Sequence, residues 1–596
     1  MGLAPLAVVV GALTAAALIA GGQRVPRPLG DLVALLAALA TAVLCALLLG
    51  HVWQRLGVYW LGGWHPRAGG VVLGIDLAVD PLGAGAATFA AVLFSAALVY
   101  SLRYLDEVTP LYQALMVVFL AGMVGFCLTG DLFDLFVFFE LMSVPAYALT
   151  GYKVEEQGPI QGALGFAVTN SAGSFLTLSG IALIYGRTGA LNLAQAGAAL
   201  GGHAADGLVV AALALTVTGF LVKAAAVPFH FWLADAHAVA PAPVCVLFSG
   251  IMVQLGLYGV ARVYWTVFAG VPGLHAGGVT AVLLGLGTLT ALVGAAMTLL
   301  EDHLKRLLAF STVSHTGLFL IALATFDAHG LAGAALFVLA HGLTKGALFM
   351  LVGIVGHRLG SVSQRDVHGR GRPLVATGVL FAFGGLMLAS LPPFGPFLGK
   401  ALSEEAATEA GYGWVPWLMM ITSALAGGAI LRAAARVFLG LGTPAGPESE
   451  EAEAEEPETS GPYDRTPAVL LAPAAVLLAA AACLPFVPDL KLAFDRAATR
   501  FTAHSAYLAD VLGGHAARVP DVVPSTGPHT SAYLYAAGSV LGALAVTMTA
   551  LAPRLRVASR AAALLHGWHS GRLGDYVTWL ATGAVLLGWS LALAVR

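Results

Sequence analysis

The chain reads as an all-α polytopic membrane protein, and three observations carry that reading. Hydrophobic residues make up 59% of its 596 positions and charged residues only 10%, where a soluble domain carries about 25% charged residues. Mean hydropathy is +0.86. Mostly apolar stretches of about 20 residues, the length that spans a bilayer, recur about 16 times from one end to the other. One soluble core could not hide that much apolar surface.

Taken in order, the expected spans are 2–21, 31–51, 80–102, 111–129, 131–151, 160–186, 207–229, 242–268, 276–300, 304–325, 329–356, 374–399, 412–440, 467–486, 531–552 and 574–595. The first has no basic stretch before it and membrane sequence after it, so it is a span and not a cleaved leader. Asp76 and Asp80 precede the third span and read as interfacial. Asp131 and Asp134 open the fifth, where a helix start favours negative charge. The stretch 444–466, PAGPESEEAEAEEPETSGPYDRT, is acidic, punctuated by proline and poor in aromatics. It reads as a solvated linker, with docking to a basic partner as the sharper alternative. Residues 487–530 form a second polar connection with room for one surface helix. Residues 553–573 hold Arg554, Arg556, Arg560 and Arg572 among apolar residues, the pattern of a short interfacial helix.

Basic residues set the expected orientation. Lys305 and Arg306, the cluster Arg358, Arg365, Arg370 and Arg372, and the arginines of 553–573 fall on one side in this span count. The positive-inside rule makes that side cytoplasmic and leaves both termini outside, in the cell membrane.

Composition also excludes function classes. Net charge is -3, with no basic field for nucleic acid. Cys45, Cys127, Cys245 and Cys483 stand singly in apolar sequence. No CxxC or Cys/His cluster suggests zinc or iron–sulfur. No GxGxxG fingerprint after a strand and no P-loop is present. No cofactor, metal or catalytic site of its own is expected.

What remains is a small set of ionisable groups at membrane depth. Of six lysines, Lys223, Lys345 and Lys400 lie in apolar stretches, as does Glu140. Charges at that depth are costly and mark ion or proton paths. The blander reading is a structural ion pair. His341 and Lys345 are i and i+4, on one helix face. Pro228 follows Lys223, and LPPFGPF (391–397) precedes Lys400. Broken helices are tolerated at depth where they line a polar cavity, and paired breaks hint at duplicated units. His230, Asp235 and His237 fall in the turn after the first break and suit loop hydrogen bonds or an entry funnel. His315 is a further candidate whose place relative to the path is open.

The string KAAAVPFHFWLADAHAVAPAPV (223–244), with FFELMSVPAYAL (138–149), LKRLLAFSTVSHTGL (304–318), AHGLTKGALF (340–349) and SLPPFGPFLGK (390–400), resembles the antiporter-like subunits of respiratory complex I, membrane-bound hydrogenases and Mrp cation/proton antiporters. Both the Mrp D-like and the NADH-quinone oxidoreductase L/M-like members fit. The resemblance covers about 110–440 and its motifs come in the family's order. It implies two inverted five-helix repeats, each with a broken helix. The expected organisation is N-terminal helices 1–110, repeats 111–268 and 275–440, an acidic linker 441–466, and C-terminal helices with a polar loop 467–596. Glu140 matches the family's buried glutamate, Lys223 its partner lysine on the broken helix, His341 and Lys345 the central relay, and Lys400 the terminal lysine. Gln254 stands where many members carry lysine. It cannot hold a net proton but can bridge through waters.

The implied activity is proton translocation, alone or in exchange for Na⁺ or K⁺, within a larger membrane assembly. The alternatives are a pump subunit of a dehydrogenase- or hydrogenase-like complex, an ion-coupled partner of an inorganic-carbon uptake protein, and an inactive scaffold. A strap-bearing member is disfavoured, because 553–573 spans only about 32 Å as a helix. A buried lysine sheds its proton more readily, and a carboxylate brought beside it reverses this. One pKa unit is worth about 1.4 kcal/mol, and a charge crossing 100 mV about 2.3 kcal/mol. A Glu140–Lys223 pair that opens and closes therefore works on the scale of a membrane potential.

Overall fold

A computed structural model describes residues 2–66, 72–105, 109–274, 277–442, 465–513, 519–524, 527–552 and 567–595. Fourteen of its helices are long and apolar enough to cross a membrane. They are α1 (Leu3–Gly21), α2 (Arg27–Val52), α3 (Pro81–Tyr104), α4 (Pro110–Leu128), α5 (Leu132–Thr150), α6 (Gln157–Thr188), α10 (Ala242–Phe268), α11 (Gly277–Leu300), α12 (Leu304–Leu323), α13 (Ala328–Leu359), α16 (Val415–Leu439), α17 (Ala468–Cys483), α20 (Thr530–Leu551) and α21 (Leu573–Ala594). The expected spans 207–229 and 374–399 are instead split. Each begins with a shorter apolar helix, α8 (Gly207–Lys223) or α14 (Val375–Leu388), and after a break the chain continues as α9 (Phe231–Val239) or α15 (Gly395–Glu409). A short helix α7 (Leu193–Leu200) follows α6.

Small residues let these helices approach closely, as membrane packing favours. A Cβ on Gly294 of α11 would meet Ser314 N of α12 at 2.3 Å, and one on Gly317 of α12 would meet Ala291 N of α11 at 2.3 Å. The same closeness joins α6 to α8 through Gly173, Gly180 and Gly219. α12 and α13 are buried along most of their length, so the residues 304–318 and 340–349 occupy the centre of the bundle.

The segment before α3 carries a two-stranded antiparallel hairpin, Gly57–Trp60 against Asp76–Val79. Asp76 and Asp80 are buried within the protein there. Asp80 caps α3 by accepting from Gly83 N at 2.9 Å and pairs with buried Arg262 at 2.5 Å. Asp76 accepts from Asn192 Nδ2 at 2.8 Å. Burial, reinforced by the nearby Asp131 charge, lifts the Asp76 carboxyl to about 7. Asp131 does cap α5, accepting from Phe133 N and Asp134 N.

The polar connection 487–530 differs from the single surface helix expected. It holds two helices, α18 (Leu490–Thr502) and α19 (His504–Leu512). Phe501 of α18 is buried, 4.1 Å from its ring centre to the Arg262 guanidinium carbon. The C-terminal α20 packs along α16, and α21 along α8 and α11. The acidic stretch and the arginine-rich interfacial helix lie outside the described residues, apart from their margins.

Candidate functional site

Both helix breaks use one backbone device. At the first, Ala225 N donates to Val222 O at 3.0 Å and Ala226 N to Leu221 O at 3.1 Å. At the second, Ser390 N donates to Met387 O at 3.0 Å and Leu391 N to Leu386 O at 3.1 Å. These are paired C-terminal caps of the Schellman type. They place Ala225 at φ 51° and Ser390 at φ 68°, the left-handed region that usually calls for glycine. Prolines in each break then prevent the helix from continuing.

Lys223 is the last residue of α8, where helix carbonyls favour a cation, and it is wholly buried. Its Nζ donates to Ser143 Oγ at 2.6 Å, and Ser143 donates onward to Phe139 O. The Nζ lies 4.8 Å, 5.7 Å and 5.9 Å from the ring centres of Phe139, Phe166 and Tyr147. Aromatic faces attract a cation at such range. Glu140 sits one helical turn from Ser143 on α5, but no carboxylate among the described residues reaches Lys223 within 4 Å. Glu140 Oε1 is buried without a hydrogen-bond partner. Trp232 of α9 stacks on Phe166 at 4.3 Å and donates to Val222 O at 3.0 Å, tying α9 back onto α8 across the break.

Toward the centre, α10 loosens into a π turn over Phe248–Met252, a feature frequent at functional sites. It precedes Gln254, whose Nε2 lies 3.4 Å from His341 Nδ1. The rings of His341 and His315 are 4.7 Å apart. His315 Nδ1 meets Ser311 O at 2.7 Å. Lys345 donates to Leu308 O at 2.7 Å and, like Lys223, makes no ion pair among the described residues. His237 belongs to α9, not to a turn. It is wholly buried, its Nδ1 on Leu233 O and its ring 5.0 Å from that of Phe349. The Nε2 atoms of His237, His315 and His341 and the Oε1 of Gln254 are all buried without partners among the described residues.

Beyond the second break, Lys400 lies in α15 and is treated differently. Its Nζ is 3.4 Å from Glu404 Oε1, one turn along the same helix, and donates to Ser539 Oγ of α20 at 2.8 Å.

The other two residues placed after the first break stand apart. His230 immediately precedes α9 and meets His569 at 3.1 Å between Nε2 atoms. Asp235 is on α9, paired with Arg306 at 2.8 Å and accepting from Tyr576 of α21. α21 also crosses the break itself: a Cβ on Gly583 would meet Pro228 Cγ at 2.5 Å. Sequence reasoning missed four groups. Glu404 was detectable from its i,i+4 spacing to Lys400. Ser143 stands one turn from Glu140. Lys305, expected among loop charges, is buried and caps the end of α9 through Ala240 O at 2.9 Å. Ser539 carried no local signal.

An all-helical bundle whose two broken helices and central helices bury a file of lysines and histidines defines a class, the polytopic subunits with an ionisable interior. Within it, the chain belongs to the family described as "NADH:quinone oxidoreductase/Mrp antiporter, TM", which matches residues 129–426. It is 33% identical over 399 residues to NADH-quinone oxidoreductase subunit N of Desulforudis audaxviator, covering 66% of this chain and 76% of that one. It is 28% identical over 424 residues to the D-type component of the Na⁺/H⁺ antiporter of Bacillus subtilis, covering 70% and 80%. Among solved structures, a chain of the Mrp complex from a Dietzia species superposes with TM-score 0.74 at 25% identity, covering 86% of this chain and all of that one. An archaeal membrane-bound sulfane sulfur reductase gives the same values.

Proposed function

We propose that this chain is a proton-translocating, antiporter-like membrane subunit of a multisubunit complex. Protons pass along Glu140, Lys223, Gln254 with waters, His341 and Lys345, then Lys400, with His315 and His237 flanking the centre. One observation carries the reading: Lys223 and Lys345 are wholly buried yet, among the described residues, are held by neutral oxygens. A lysine kept for structure at such depth would be paired with a carboxylate. These two instead sit where a proton can be taken up and passed on. The unpartnered nitrogens of His237, His315 and His341 and the free oxygen of Gln254 are the polar partners a water chain needs.

The recurrence of one capping motif at both breaks supports two related units over 111–268 and 275–440. Convergence of Arg365 and Arg436 on Asp302 gathers basic residues on one face. That supports a cytoplasmic side there and both termini outside. Partners are other membrane subunits, and the protons move alone or in exchange for Na⁺ or K⁺. Relatives named as oxidoreductase subunits favour a second reading, in which a redox reaction drives the same path.

Proton flux into vesicles carrying the assembled complex tests this. Lys223→Ala should abolish coupled flux while the complex still assembles. Wild-type flux in that variant would remove the relay and leave a scaffold.

A further inference from the structure

The polar connection after α17 folds into α18, an amphipathic helix whose two faces border two different cavities. Leu490, Ala493, Phe494 and Ala497 follow i, i+3, i+4 and i+7 spacing, the apolar stripe of a helix lying on a core. They roof a cavity of about 470 Å³ with almost wholly apolar walls, within the ~300–1,000 Å³ of small-molecule sites. The cavity runs between α3 and α13 and ends inside at Gln254 and Tyr258. Val92 of α3, 43% exposed, and Ala335 and Val338 of α13 also line it, so its side wall is continuous with the outer surface of the bundle.

The adjoining face of α18 has the opposite chemistry. Arg496 and Arg500, i and i+4, line a second cavity of about 460 Å³ together with Gln54 and Asp521. Two arginines against one aspartate leave it a single net positive charge. Trp53 belongs to both cavities, and tryptophan is the residue favoured at the level of lipid headgroups. Neither guanidinium forms a salt bridge among the described residues, although Arg500 also acts on the nearby Asp510 carboxylate, and both line the cavity.

We propose that this pair of cavities binds an anionic glycerophospholipid. The phosphodiester sits on Arg496 and Arg500, which suit phosphate oxygens by their forked donors. One acyl chain enters the apolar cavity beneath α18, passing Trp53. A free phosphate would use the arginines and leave the apolar cavity unexplained. A neutral hydrophobe would use the cavity and leave the arginines unexplained. A lipid with one negative charge uses both. This site meets the proposed path only at Gln254, at the inner end of the cavity, and the lipid reading rests on Arg496, Arg500 and the apolar walls, not on the proton reading.

Bound lipid is counted by native mass spectrometry of the assembled complex. The complex is exchanged into nanodiscs of phosphatidylglycerol or phosphatidylcholine with identical chains. Phosphatidylglycerol should be retained and phosphatidylcholine lost. Arg496→Glu with Arg500→Glu should weaken retention by at least about thirtyfold, from loss of two interfacial cations alone, while the double lysine variant should keep most of it. Ala335→Phe, which fills the apolar cavity without touching either arginine, should also lower retention. Equal retention of the two lipids, or retention indifferent to the arginine variants, overturns the proposal. Displacement by millimolar inorganic phosphate with Ala335→Phe silent would reduce the site to an anion pocket and overturn it as well.

Discussion

Lys223 closes the helix before the first break, whereas Lys400 lies inside the helix after the second. Their surroundings differ as much as their positions. Lys223 meets a hydroxyl and three aromatic faces, with Glu140 one turn from that hydroxyl and itself unpartnered. Lys400 has its counter-charge built in four residues along the same helix. The first site leaves the lysine on a neutral hydroxyl, with no carboxylate within 4 Å among the described residues. The second pairs the ammonium with Glu404 and Ser539. Identical capping at the two breaks thus carries two electrostatic arrangements, which under the proposed path would switch at one end and retain at the other.

The largest effect comes from damaging a pair that lies in neither site. Arg262 and Asp80 form a buried ion pair under Phe501. Removing one member of such a pair costs about 3–5 kcal/mol, because the other charge is left stranded. Arg262→Met should therefore lower the thermal unfolding midpoint markedly while flux per folded complex stays near normal. Lost flux with unchanged stability would mean that this pair belongs to the path, and the division into holding and working charges would fail.

Glu140→Gln sharpens the contrast from the other side. Glu140 makes no ion pair among the described residues in this state, so stability should barely move. Flux should fall by about tenfold to a hundredfold, the worth of a charge-assisted contact formed only during turnover. Parallel measurement of unfolding and dye-monitored flux separates the two. A destabilised variant with intact flux would make Glu140 structural.

Ser539→Ala gives the smallest change. It removes one neutral hydrogen bond from Lys400 while Glu404 remains. A loss of about 1 kcal/mol should reduce flux about fivefold, and Ser539→Thr should restore it. If Ser539→Ala abolished flux, the second site would be switching too, and the contrast would disappear.

Much of this was legible in the sequence, for physical reasons. Apolar length marked the spans, and the prolines near 228 and 392 marked where two of them break. Helical spacing put His341 and Lys345 on one face. Local rules carry such information. They do not carry contacts between distant segments: Ser539 reaches Lys400 across 139 positions, and nothing in the composition of α20 singles out that serine. Nor do they give depth. His237 looked like its neighbours His230 and Asp235, yet it is wholly buried against Phe349, whereas Asp235 pairs with Arg306 and His230 meets His569. Asp76 and Asp80 gave no local sign that they would be buried within the protein, as they are. The resemblance suggested a Glu140–Lys223 pair; the structure shows the lysine resting on Ser143 instead.

The central claim is a continuous proton path through the middle of the bundle, and Lys345 is the step with the fewest substitutes. Its one hydrogen bond among the described residues is to the carbonyl of Leu308, so the protein should fold without its charge. Proton flux should be measured in vesicles holding the assembled complex with Lys345→Ala. Loss of flux to background with unchanged assembly is the predicted result. Flux equal to wild type would contradict the path.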